Sequence, residues 1–146
     1  MSLNQKIAED LKAAMKAKDK DRVSCLRMLK TSLKNLQVEK GRELEDKEIH
    51  AAISSSVRKS KESAAEFRKG GREDLVLKEE REIKILYEYL PQQLTPDEIE
   101  KTLREIIEEI SASSKDLGKV MKAAMARMAG QAQGKEVNEI AIKLLP

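Results

Sequence analysis

Two prolines, Pro91 and Pro96, interrupt a chain that otherwise reads as nearly continuous helix. Pro91 has no backbone N–H and disfavours helical geometry at Leu90, so a helix running through Leu86-Tyr87-Glu88-Tyr89 must stop there. Thr95 opens the next helix as an N-cap, with Pro96 at the first helical position and Glu98 three residues after the cap, which completes a capping box. The stretch predicts an all-α chain in two parts: an N-terminal four-helix unit over residues 1–91 and a smaller C-terminal three-helix domain over residues 95–146.

Apolar spacing fills in the helices. Leu3, Ile7, Leu11, Ala14 and Met15 define a first helix over about Ser2 to Lys18. Asp19 or Asp21 caps a second, with a stripe of Val23, Leu26, Leu29, Leu33 and Leu36, ended by Gly41. A third begins near Glu45 or Asp46, and Ile49, Ile53, Val57, Ser60, Ala64 and Phe67 recur at close to a heptad, the pattern of a helix lying along a long neighbour. Gly70-Gly71 stops it, because glycine accepts a left-handed backbone without steric cost. A fourth carries Leu75, Val76, Ile83, Leu86, Tyr87 and Leu90 up to Pro91. Beyond the prolines, Ile99, Leu103, Ile106, Ile107 and Ile110 define a fifth. Ser113 or Ser114 caps a sixth through Val120, Met121, Met125 and Met128, where Gly118, Ala123 and Ala124 are small enough for close helix approach. Gly130 stops it, Gln131 to Gly134 reads as a turn, and Val137, Ile140, Ala141, Leu144 and Leu145 give a seventh.

Charge is distributed unevenly. Residues 1–40 hold ten Lys/Arg against five Asp/Glu, residues 57–72 six against two, and residues 73–110 five against twelve. The basic first half can attract a polyanion such as RNA or serve as a solvated helix surface. With 38% charged and 2% aromatic residues, the chain lacks the stacking surface of a single-strand binder. No apolar run approaches a membrane span, and Met1 to Lys6 has no signal-peptide core. The one cysteine, Cys25, forms no internal disulfide, which makes the cytoplasm the default compartment.

Few catalytic constellations survive counting. The only histidine, His50, and Cys25 lie in different helices, so neither a nucleophile–base pair nor a zinc site is expected, and nothing implies a metal or cofactor. Gly118-Lys119 lacks the preceding glycine and the following Ser/Thr of a phosphate loop. Glu79, Glu80 and Glu82 alternate with Lys78, Arg81 and Lys84, which reads as ion-paired helix surface. The hydroxyl-rich run Ser54-Ser55-Ser56, with Ser60 and Ser63, is either a polar helix face or a modification or RNA-contact patch.

Gly118-Lys119-Val120-Met121, then Met125, Gly130, Ala132, Gly134, Val137-Asn138 and Leu144-Leu145 resemble the C-terminal tail domain of the B subunit of bacterial aspartyl/glutamyl-tRNA amidotransferase. With Leu90-Pro91-Gln92-Gln93-Leu94 and Arg27-Met28-Leu29-Lys30, the whole chain is similar to the free-standing YqeY-like proteins that share that domain. The resemblance implies a helical bundle followed by a three-helix tail, and a non-catalytic accessory role in holding tRNA or a tRNA-handling complex. A carbon–nitrogen ligase activity with glutamine as amide donor belongs to the larger enzyme, and nothing here resembles its amidase subunit or ATP-using body. Many relatives are acidic just before the second glycine, where this chain has Gln133. The candidate RNA contacts are Lys115, Lys119, Lys122, Arg127 and Lys135, placed around two helix starts whose amides also favour anions. The alternative is a helical protein–protein adaptor without RNA binding.

Overall fold

The computed structural model describes residues 2–146 and is all-helical, with seven α-helices and no strand among the described residues. The chain divides into two compact units, one ending at Leu90 and one beginning at Pro91.

The first unit holds α1 (Leu3–Ala17), α2 (Lys20–Lys40), α3 (Asp46–Lys69) and α4 (Glu73–Tyr87). A capping box at Ser2 starts α1: its hydroxyl accepts from the Gln5 N–H at 3.1 Å, and its N–H donates to Gln5 Oε1 at 3.0 Å. Asp19 caps α2 by accepting from the Arg22 N–H at 3.3 Å. Gly41 (φ 68°) and Gly71 (φ 71°) take the left-handed conformation at the ends of α2 and α3, where a side chain would be strained. The short links Lys18–Asp19, with Lys18 itself left-handed at φ 57°, and Gly70–Arg72 bring α1 back along α2 and α4 back along α3, the two most extensive helix pairs. Ile7, Leu11, Leu26, Leu29, Leu33, Ile49, Ile53, Val57 and Leu86 meet in one core. The near-heptad stripe of α3 therefore packs chiefly on α4.

α4 ends at Tyr87, before Pro91 is reached. Glu88, Tyr89 and Leu90 each donate to the carbonyl three residues back, the tighter winding common at helix ends. That change of phase turns Tyr89 inward, 4% exposed, where its hydroxyl donates to Asp10 Oδ2 at 2.5 Å. Arg22 clamps the adjacent Glu88 with two bonds, at 2.6 and 3.4 Å.

The second unit holds α5 (Pro96–Ile110), a 3₁₀ turn (Ser114–Asp116), α6 (Leu117–Arg127) and α7 (Gly134–Leu144). Each of its α-helices touches the other two around Ile99, Leu103, Ile106, Val120, Ala124, Met128, Val137 and Ala141. Thr95 and Glu98 form the expected capping box. Ala124 is fully buried, as close packing requires. Gly118 departs from expectation: a Cβ placed there would meet nothing within 4 Å, so no helix approaches it. It lies in the first turn of α6, on the solvent side of a helix whose buried residues are Val120 and Ala124.

Candidate nucleic-acid interface

The tail unit is tied together by the segment that precedes α5. Gln93 Nε2 donates to the carbonyls of Pro91 at 2.9 Å and Gly130 at 2.7 Å, and the Leu94 N–H donates to the Gln131 carbonyl at 2.8 Å. Gly130 itself has φ 74°, a backbone position that favours glycine. These bonds hold the turn between α6 and α7, and through it the start of α7. Sequence reasoning gave Gln93 no role, because its partner lies 37 positions away and leaves no local pattern.

Of the five predicted cations, Lys115 lies in the 3₁₀ turn, while Lys119 and Lys122 follow on α6. Spacings of four and three put Lys119 and Lys122 on one helix face, with Lys115 on the turn leading into it. All three are exposed. Lys119 approaches only Asp116, at 3.9 Å, and its side chain is 80% exposed. Lys115 and Lys122 make no ion pair among the described residues, and Lys135, the second residue of α7, is likewise exposed and unpaired among them. Arg127 differs. Its guanidinium reaches Glu109 at 2.8 Å and Glu105 at 3.9 Å, which ties the end of α6 to α5 and lowers the Glu109 carboxyl below its ordinary range. The structure thus groups three lysines and diverts the arginine to an internal pair.

The two helix starts also differ. Before α6, Asp116 accepts from the Ser113 N–H at 2.8 Å and from the Ser113 hydroxyl at 3.2 Å, and the backbone bond holds its carboxyl below the usual range. That carboxylate closes the 3₁₀ turn leading into α6, and as the N-cap of α6 it makes no side-chain bond to the first amides of the helix. At α7, Gln133 stands at the N-cap and makes no side-chain cap bond; its Nε2 is buried without a hydrogen-bond partner among the described residues. A glutamine is too long to fold back on the first amides as an aspartate does. The first amides of α7, like those of α6, have no side-chain cap, and Lys135 and Glu136 lie in its first turn.

The remaining reactive groups are structural. Cys25 is 5% exposed, its Sγ lies 3.8 Å from the Glu82 carbonyl, and burial pushes the thiol up to about 12, well above the range of a nucleophile at neutral pH. Among the described residues no group of three or more His, Cys, Asp or Glu could hold a metal ion, and no helix is long and apolar enough to cross a membrane.

A family model described as Yqey-like protein matches residues 4–145. Similar curated proteins include the mitochondrial protein named altered inheritance of mitochondria protein 41. In Lachancea thermotolerans it is 34% identical over 114 residues, 76% of this chain and 61% of the relative. In Kluyveromyces lactis the identity is 39% over 84 residues, 57% of this chain and 45% of the relative. In Pyrenophora tritici-repentis it is 27% over 133 residues, 90% and 74%. The chain thus spans less than two thirds of the length of the first two relatives. Their names correct the cytoplasmic expectation: relatives of this sequence are mitochondrial proteins. A single cysteine and the want of an apolar span report on disulfides and membrane insertion, and they do not distinguish one reducing compartment from another.

Proposed function

From a chain that belongs to the YqeY-like family over residues 4–145, we propose an accessory protein, without a catalytic centre of its own, that holds tRNA or a tRNA-handling complex through its C-terminal three-helix domain. The observation that carries this reading is the set Lys115, Lys119 and Lys122 on consecutive turns, exposed and without a strong internal partner. Lys135 at the uncapped start of α7 adds a fourth cation. Such a surface engages phosphates and duplex shape rather than bases, because the tail contains no Phe, Tyr or Trp. Arg127 contributes by fixing α6 on α5, and has less charge to offer an RNA. The division at Leu90–Pro91 gives the tail its own core, consistent with four helices and three acting as separate folding units.

Fluorescence anisotropy with bulk tRNA at low salt tests the reading. Binding is expected, and Lys119→Glu/Lys122→Glu is expected to abolish most of it. Absence of binding at low salt would end the direct RNA version. The second reading, a helical adaptor for proteins, is favoured by Ile110 and Ile142, which are 44% and 55% exposed on the tail. It predicts a complex insensitive to salt and to the lysine reversal.

A further inference from the structure

The turn between α1 and α2 borders a shallow groove of about 710 Å³ in the first unit. Its apolar lining comes from Met15, Val23 and Met28, and its charged lining from Lys18, Lys20 and Arg27. Met15 and Met28 are 49% and 67% exposed, and among the exposed large apolar side chains of the first unit these two share one groove. The acidic residues interleaved with these cations are committed elsewhere: Asp19 to Arg22 at 3.6 Å, and Asp21 to Arg81 at 2.8 Å. Lys18, Lys20 and Arg27 have no ion pair among the described residues.

Two of the three cations stand where helix physics disfavours them. Lys18 adopts a left-handed backbone, φ 57°, at the end of α1, a position that glycine fills without strain. Its charge suits the carboxyl end of α1; its backbone does not. Lys20 is the first residue of α2, at the positive end of the helix dipole. Local stability would favour other residues at both positions, and both side chains reach the groove.

We infer that this groove receives an amphipathic helix of a partner protein whose apolar face covers Met15 and Met28 and whose flanking carboxylates meet Lys18, Lys20 and Arg27. Unbranched thioethers adapt to varied apolar anchors, and the basic rim supplies charge complementarity. RNA fits less well, because the floor is apolar and no aromatic side chain lines it for base stacking. A second copy docked symmetrically through this same face would set one basic rim against another.

The probe is a fluorescent synthetic peptide with leucines at i, i+3, i+4 and i+7 and glutamates beside them. A scrambled peptide of the same composition, bulk tRNA and phosphatidylserine vesicles serve as comparisons, with methionine methyl NMR of the full chain as the second readout. The patterned peptide is expected to bind and to shift the Met15 and Met28 methyls while leaving Met128 unmoved. Met28→Gln, at an exposed position, is expected to weaken binding roughly tenfold or more. Lys18→Gly is expected to weaken it severalfold while raising the melting temperature, a combination that damage to the fold cannot produce. Equal binding of the scrambled peptide, or no loss with Met28→Gln, would overturn the inference. So would methyl shifts given by tRNA, by vesicles or by self-association in sedimentation, in place of the peptide.

Discussion

The two sides of Pro91 are anchored by different means. Upstream, Tyr89 is held by side chains, its hydroxyl on Asp10 and the neighbouring Glu88 on Arg22. Downstream, Gln93 and Leu94 are held by main-chain carbonyls of the α6–α7 turn. The first arrangement depends on charge and burial: burial, then the bond to Asp10, holds the Tyr89 phenol above its ordinary value. The second depends on the backbone of a glycine turn and is indifferent to titration. The pair of prolines thus marks a place where each unit closes its own end, and what separates the anchors is only Leu90-Pro91-Gln92.

The largest effects should come from the two cores. Leu26→Ala and Leu103→Ala, each at a fully buried position, should cost about 2–5 kcal/mol. If the units fold separately, calorimetry will show each substitution lowering only its own transition; a shared shift would break the comparison.

Next come the anchors themselves. Tyr89→Phe removes the bond to Asp10 and should cost about 1.5–3 kcal/mol, as for a hydrogen bond to a charged group. In the intact chain this contribution is fully present below the unfolded tyrosine value near 10 and is lost as pH rises through the higher folded value. Thermal melts from neutral to alkaline pH should show that loss in the intact chain and a flatter profile in the variant. Gln93→Ala should lower the tail transition without altering its pH dependence, since its partners are carbonyls.

Smaller gains are expected where the tail departs from helix chemistry. Gln133→Asp should supply the missing cap of α7 and remove a buried unpartnered amide, raising stability by about 1 kcal/mol in denaturant titration. Gly118→Ala, in open space on α6, should add about 0.5–1 kcal/mol.

The acid side separates the units least. Glu48 is held well below the usual carboxylate range, first by Arg42, then by the Glu45 N–H and Lys40. In the tail, Asp116 and Glu109 are also lowered. Their contributions are present above the unfolded values, about 4.3 for the glutamates and about 3.9 for the aspartate, and fall away as pH drops through the folded values, so both transitions should weaken in acid. Glu48→Gln should flatten only the first.

Legibility in the sequence follows the range of the interaction. Asp19, Gly41 and the Thr95–Glu98 box were readable because a cap involves residues within about three positions of one another. The Ser2 box has the same form and was readable in principle, with Gln5 as its signal. Tyr89 was not: a continuous helix up to Pro91 gives it the wrong phase, and the bond to Asp10 spans 79 positions. The candidate interface divides likewise. The spacing of Lys119 and Lys122 shows in the sequence; the diversion of Arg127 to Glu109 depends on how α6 packs on α5. The Met15–Met28 groove joins two helices and has no signature in either alone.

The most direct test of the tail as the tRNA-holding part is the salt dependence of tRNA binding, measured for the intact chain and for Lys119→Glu/Lys122→Glu. If both lysines meet phosphates, the variant should bind more weakly at every salt concentration. Its slope of log affinity against log salt should be shallower by about 0.7–0.9 for each lost contact. An unchanged slope and affinity would contradict the account, and would leave the cations of the tail as solvated surface.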